Sequence, residues 1–222
     1  MTSIVIAVDG TAASGKGTLA KRLARHFGFA HMDSGVLYRL TAMAVLAAKG
    51  DPSNEADAIR AAHSIDLDKA GDTQIRSDVV GTAASKVAAI PAVRHALHDF
   101  QIAFNEHPPG GNGAVMDGRD IGTVIAPHAT AKLYIDAAPE VRAHRRWLEL
   151  RGMGIARDEA ELLAEIVARD QADRSRPVSP LTQAPDAPLL DTTLLDIDAA
   201  FAAALALVQP RVENALKARH RG

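Results

Sequence analysis

Nine residues, Gly10-Thr11-Ala12-Ala13-Ser14-Gly15-Lys16-Gly17-Thr18, follow directly on the apolar stretch Ile4 to Val8 and leave few folds open. A strand ending at Asp9, a loop of small residues and a helix starting at Lys16 form the setting in which backbone N–H groups wrap an anionic oxygen cluster. Gly10 and Gly15 permit backbone angles that side chains disfavour, so successive amides can converge on one ligand. Lys16 adds a mobile point charge suited to the outer phosphates of a nucleotide. In an ordinary strand-to-helix turn the glycines would merely relieve strain. The spacing, the lysine and the flanking elements together favour phosphate. The residue after the lysine, commonly a Ser or Thr whose hydroxyl meets Mg²⁺, is Gly17, with Thr18 behind it. Mg²⁺ held by nucleotide oxygens and water, with no direct protein ligand, tolerates that loss.

Composition narrows the partners. At 222 residues the chain is long enough to bury a sizeable core as one domain. A formal charge of −2 argues against a broad polyanion-binding surface, so small nucleotides fit better than nucleic acid. The absence of cysteine excludes disulfides, thiolate metal sites and cysteine nucleophiles. With 47% hydrophobic residues, a mean hydropathy of −0.02, no basic leader and no apolar run of membrane-spanning length, the protein is expected in the cytoplasm with no membrane contact; it is also expected to be a monomer. His95 and His98 lie one turn apart without a supporting carboxylate pattern, so no zinc site is expected.

Short apolar runs alternating with longer helical patterns predict an α/β fold with a parallel sheet flanked by helices. Strands are expected at Ile4–Val8, Gly113–Met116, Lys132–Ile135 and, as a short edge or late strand, Leu189–Leu190. Helices are expected at Lys16–Phe27, Gly35–Lys49, Val79–Phe104, Pro139–Arg151, Asp158–Arg174 and Ile197–Ala218. Pro91 should kink or divide the third of these and Pro210 the last, because a proline nitrogen cannot donate within a helix.

Two further clusters carry charge. In Asp33-Ser34-Gly35-Val36-Leu37-Tyr38-Arg39, Asp33 or Ser34 can cap the following helix, and Arg39 lies about one turn beyond Gly35. Taken alone this is a capped helix with a solvated arginine; beside a phosphate loop it is a second cationic site for an acceptor phosphate. Asp117-Gly118-Arg119-Asp120 follows an apolar strand, at the carboxyl edge where open α/β sheets bind ligands. Arg119 can join Arg39 on a dianion, Asp117 can approach a metal shell, and Asp120 can accept from an exocyclic amine. An internal Asp–Arg pair fixing a turn is the plainer reading of the same residues. Arg169, Asp173 and Arg176 share one face if their helix continues past Arg174, although solvated i,i+4 pairing also explains them. Arg142, Arg145 and Arg146 could also approach ATP, but an exposed basic helix explains them equally well and they are left outside the site.

The segments GTAASGKGT (Gly10 to Thr18), DSGVLYR (Asp33 to Arg39), AASKVAAIPAVR (Ala83 to Arg94), DGRDIGTV (Asp117 to Val124) and RDQADRSR (Arg169 to Arg176) resemble the bacterial cytidylate kinases, within the nucleoside monophosphate kinases. The resemblance implies one P-loop kinase domain over residues 1–222, with a monophosphate-binding insert at about 34–104 and a lid at about 145–180. It implies transfer of the γ-phosphoryl of ATP to CMP or dCMP with Mg²⁺. Residues 10 to 18 would hold ATP, Arg39 and Arg119 the CMP phosphate, Ser34, Ser85, Arg94 and Asp120 the cytosine, and Arg169, Asp173 and Arg176 the ribose and phosphates. Lys16, Arg39, Arg119 and Arg169 would act on the transferred group. Ser85 and Arg94 owe their assignment to the resemblance alone. Ala13 and Thr11 replace a glycine and a proline of the family loop, and the polar stretch Ile65 to Gly81 stands where the family carries a small antiparallel sheet. A kinase for another small acceptor, and a nucleotide-dependent switch, remain the competing readings.

Overall fold

The computed structural model describes residues 3–219. Its sheet has five strands: β1 (Val5–Gly10), β2 (Ala30–Asp33), β3 (Ala114–Gly118), β4 (Ala131–Asp136) and β5 (Leu189–Asp191), in the order β2-β3-β1-β4-β5. Every pairing is parallel. β1 sits centrally and is buried along its length, which is why it reads as an unbroken apolar run. Ile6 and Val8 pack with Leu19 and Leu23 of α1 (Lys16–Phe27) and Val208 and Val212 of α8 (Ile197–Arg219), while Ala7 meets Met116 on the opposite face. The register sets Val8 beside Asp117 and Asp33 beside Asp117, so the carboxyl ends of β1, β2 and β3 form one rim.

Between β2 and β3 the chain makes a helical insert with its own apolar core. It comprises α2 (Ser34–Ala47), α3 (Glu55–Ala62), α4 (Asp78–Ala88) and α5 (Pro91–Glu106), joined through Leu37, Tyr38, Val80, Val87, Val93 and Leu97. Pro91 divides the expected third helix and opens α5 as a first-turn proline, where its missing N–H is no loss. The stretch Ile65 to Gly81 contains two 3₁₀ turns, Leu67–Gly71 and Thr73–Arg76, ahead of α4. Two of its aspartates are caps: Asp66 accepts from Asp68 N at 3.1 Å and Asp72 from Gln74 N at 2.8 Å. After β4 come α6 (Pro139–Gly152) and α7 (Glu159–Ser175), the latter capped by Asp158.

The break expected at Pro210 does not occur, and α8 runs through it. Pro210 and Ala206, whose carbonyl loses its partner, are both exposed, so water can satisfy that oxygen. Ala204, Val208 and Val212 hold the opposite face against the sheet. β2 and α3 lie outside the elements expected from the sequence. Among the described residues, no helix is long and apolar enough to cross a membrane.

Candidate active site

The loop after β1 is shaped by two glycines. A Cβ on Gly10 would stand 2.0 Å from the Ile135 carbonyl oxygen of β4, so only glycine lets the strands run this close. Gly15 takes φ 88° and leads into α1 without a side-chain cap, and the first turn of α1 holds no acidic residue. The amides and positive dipole end of α1 are thus left to an anion. Thr11 Oγ1 donates to Asp136 Oδ1 at 2.6 Å, Ser14 Oγ to Thr11 O at 3.0 Å, and Thr192 Oγ1 to Ser14 O at 3.1 Å. Thr11 and Ser14 are therefore buried beneath the loop, Thr18 is exposed on α1, and Ala12, Ala13, Lys16 and Gly17 line a cavity of about 220 Å³. Burial and the nearby Arg119 guanidinium lower the Lys16 ammonium to about 8.

At the end of β2, Asp33 caps α2 by accepting from Gly35 N at 2.9 Å. Ser34 instead donates to Asp117 O at 2.9 Å, pinning α2 to β3. Arg39 donates to Ile75 O at 2.7 Å, and burial lowers its pKa. Arg119 reaches Asp173 Oδ2 through Nε at 2.8 Å. Burial alone would raise the Asp173 carboxyl, but Arg119 and Arg169 hold it below the usual carboxylate range. Arg169 is incompletely matched: its buried Nε has no hydrogen-bond partner, and burial together with Arg119 lowers it to about 10.

The far wall carries a buried ion pair between Arg94 and Asp120, with the Arg94 guanidinium 5.3 Å from the Tyr38 ring centre. Ser85 Oγ donates to Gly81 O within α4 at 3.3 Å and faces the same cavity. α7 stops at Ser175, so Arg169 and Asp173 share a helical face while Arg176 reaches inward from the position just beyond it. Arg176 approaches Asp120 at 3.9 Å and Asp173 at 4.0 Å. Lys16, Arg39, Arg94, Arg119, Arg169 and Arg176 thus share the cavity with Asp33, Asp117, Asp120 and Asp173. This excess of cations, several desolvated, calls for anionic ligands.

The sequence gives no role to Asp9 or His31 and leaves Arg142 outside the site. The buried Asp9 carboxylate accepts from Ile121 N at 2.8 Å and Gly122 N at 2.7 Å, joining β1 to the turn after Asp120. Burial pushes its pKa up to about 7. His31 Nε2 lies 2.8 Å from Asp117 Oδ1. Arg142, Arg145 and Arg146 of α6 do not form an exposed basic face. Arg142 is buried, Arg145 is half-buried on Thr192 (2.6 Å to its carbonyl), and Arg146 pairs with Asp78 at 2.9 Å. Only a long-range partner such as Asp170 or Thr192 marks them, and local spacing does not show it.

Comparison with known proteins agrees with this geometry. A family model described as cytidylate kinase matches residues 6–210. A cytidylate kinase of Afipia carboxidovorans is 52% identical over 206 residues, covering 93% of this chain and 97% of that protein. One of Rhodopseudomonas palustris is also 52% identical, covering 93% and 96%. Among solved structures, an uncharacterized protein from Eubacterium ventriosum aligns with TM-score 0.53 at 14% identity, covering 93% of this chain and 98% of that one. A gluconokinase from Sinorhizobium meliloti aligns with TM-score 0.50 at 14% identity, covering 96% of each chain. These two likenesses concern the fold alone. The match across residues 6–210 and the 52% identity over nearly the whole length show that the chain belongs to the cytidylate kinase family.

Proposed function

We propose that the protein transfers the γ-phosphoryl of ATP to CMP or dCMP, giving ADP and CDP or dCDP. The observation that carries this reading is the shared cavity, which Lys16 and the open start of α1 line together with Arg39 and Arg119. In an in-line displacement, an oxygen of the acceptor phosphate bonds to the γ-phosphorus as the bond to the β–γ bridging oxygen breaks. The loop and Lys16 hold the donor phosphates, Arg39 and Arg119 hold the acceptor phosphate, and Arg169 offsets charge on the group in transit. The acceptor is already an anion, so no strong general base is needed.

Cytosine offers an amine beside two acceptors. Asp120 can take the amine hydrogen while Arg94 and Ser85 donate to the ring nitrogen and carbonyl, with Ser34 completing the pocket. Uracil would turn its 4-oxygen toward the Asp120 carboxylate and leave buried groups unpaired. Asp173 and Arg176 would meet the ribose and phosphates.

The residues present fit Mg²⁺. Asp33 and Asp117 line the cavity beside the loop, and a Cβ on Gly17 would stand 3.5 Å from Asp117 Oδ2, so a carboxylate reaches the place of the commoner hydroxyl. Mg²⁺ commonly keeps several waters and is held through one or two carboxylates together with nucleotide oxygens. When bound, Mg²⁺ neutralises charge on the β- and γ-oxygens; Asp33 and Asp117 would orient its waters.

The separate apolar core of the insert supports treating about 34–104 as a monophosphate-binding unit, with about 145–180 as a lid that excludes water. We place the enzyme in the cytoplasm as a monomer acting on small nucleotides without nucleic acid. A coupled assay with ATP, Mg²⁺ and each common monophosphate tests the reading: rapid turnover with CMP or dCMP supports it, and comparable turnover with UMP or AMP defeats the base assignment.

A further inference from the structure

Arg142 has no part in the reaction proposed above, yet at 1% exposure it is the least exposed charged side chain among the described residues. A guanidinium is tolerated at such depth only where its donors are matched. Nε donates to Ala137 O at 2.8 Å, one terminal nitrogen to Ala12 O at 3.0 Å, and the other to Asp170 Oδ2 at 2.6 Å. These partners belong to the segment before α6, to the phosphate loop, and to α7 beside Arg169. Asp170 is itself buried, and its other oxygen has no partner, so Arg142 is the main match for its charge. Arg174 stands farther off, at 4.0 Å.

The Ala12 carbonyl is the informative contact. Its peptide leads into Ala13, which takes φ 57°, a left-handed conformation that an L side chain adopts only at a cost. The peptide is planar and trans, so a carbonyl turned inward to Arg142 points the Ala13 N–H the opposite way, toward the exposed, cavity-lining side of the loop.

We propose that Arg142 is a positioning residue for the donor nucleotide: by clamping the Ala12 carbonyl it keeps the Ala13 N–H aimed at the polyphosphate, and through Asp170 it ties that orientation to α7. The proposal rests on reading the loop as the ATP site. Arg142 touches no substrate and acts through the loop backbone. The alanine at position 13 makes the clamp necessary, because a glycine would hold the same angle without strain.

The test uses the full chain, measuring direct ATP binding without acceptor, KM for ATP and for CMP, and Tm. Arg142→Lys keeps one charge for Asp170 but cannot span both partners. It should weaken ATP binding and raise KM for ATP about 10-fold, with KM for CMP changed less than about threefold. Adding Ala13→Gly should recover about threefold or more of the lost ATP affinity. Equal rises in both KM values, a lower Tm with unchanged ATP binding, or no rescue by Ala13→Gly would overturn the proposal. If Arg142→Lys does not fold, the near-isosteric Asp170→Asn carries the test, with about a threefold loss of ATP affinity expected and an unchanged affinity contradicting it. Failure of the functional reading is separable, since it would show as ATP turnover by the unaltered protein that ignores CMP.

Discussion

The proposed donor and acceptor subsites of the cavity would hold anions by different means. At the donor end the loop after β1 is fastened from beneath by Thr11 on Asp136, Thr192 on Ser14 and Arg142 on Ala12, and it presents backbone amides with a single lysine. At the acceptor end the cations are side chains already paired, Arg119 with Asp173 and Arg94 with Asp120. A fastened backbone costs little reorganisation when polyphosphate arrives. Paired side chains must share their donors with a ligand, which lets the same residues discriminate among bases. On the proposed reading, phosphate affinity would thus be concentrated in the loop and substrate choice in the charge pairs.

Removing Lys16 should break this division most severely, because it is the one side-chain cation on the donor loop. Lys16→Ala should lower kcat by about a thousandfold, read in a steady-state assay with both substrates saturating. Arg119→Ala should lower kcat/KM for CMP by about a hundredfold while leaving direct ATP binding near its original value. An equal loss in ATP binding would show that the two ends do not act separately. Asp120→Asn should cut the preference for CMP over UMP by about 30-fold, as the amide can offer a hydrogen to the uracil 4-oxygen. Competition between the two monophosphates measures that ratio.

The smallest expected effect is in pH. A Lys16 pKa lowered from 10.5 to about 8 means that the free enzyme carries the ammonium below pH 8 and loses it above. The profile of kcat/KM for ATP should therefore be flat up to about pH 8 and fall about tenfold per unit beyond it. Bound phosphates stabilise the ammonium, so the fall in kcat itself should come at higher pH. A kcat/KM profile flat to pH 10 would mean that Lys16 stays charged in the free enzyme.

Legibility in the sequence followed the range of the interactions. β1 and the start of α1 were readable because an apolar run, the glycines and Lys16 are contiguous. Pro91 marked a helix start for a local reason as well. β2 was missed since Ala30 to Asp33 is short and only half-buried, and its strand character comes from pairing with β3, far along the chain. Pro210 misled because tolerance there depends on which face of α8 meets solvent. In the site, Lys16, Arg39, Arg119 and Arg169 were named from motif and resemblance, and the structure brings them to one cavity. The roles of Asp9 and Arg142 were illegible because their partners, the Ile121 and Gly122 amides and the Ala12 carbonyl, are backbone atoms 112 to 130 positions away.

The most direct test is the initial rate of ADP formation by the intact protein with ATP and Mg²⁺, alone and with CMP, dCMP, UMP or AMP. The account predicts rapid ADP formation with CMP or dCMP, slower turnover with UMP and AMP, and little without an acceptor. ADP formation at the same rate whether or not a monophosphate is present would contradict it.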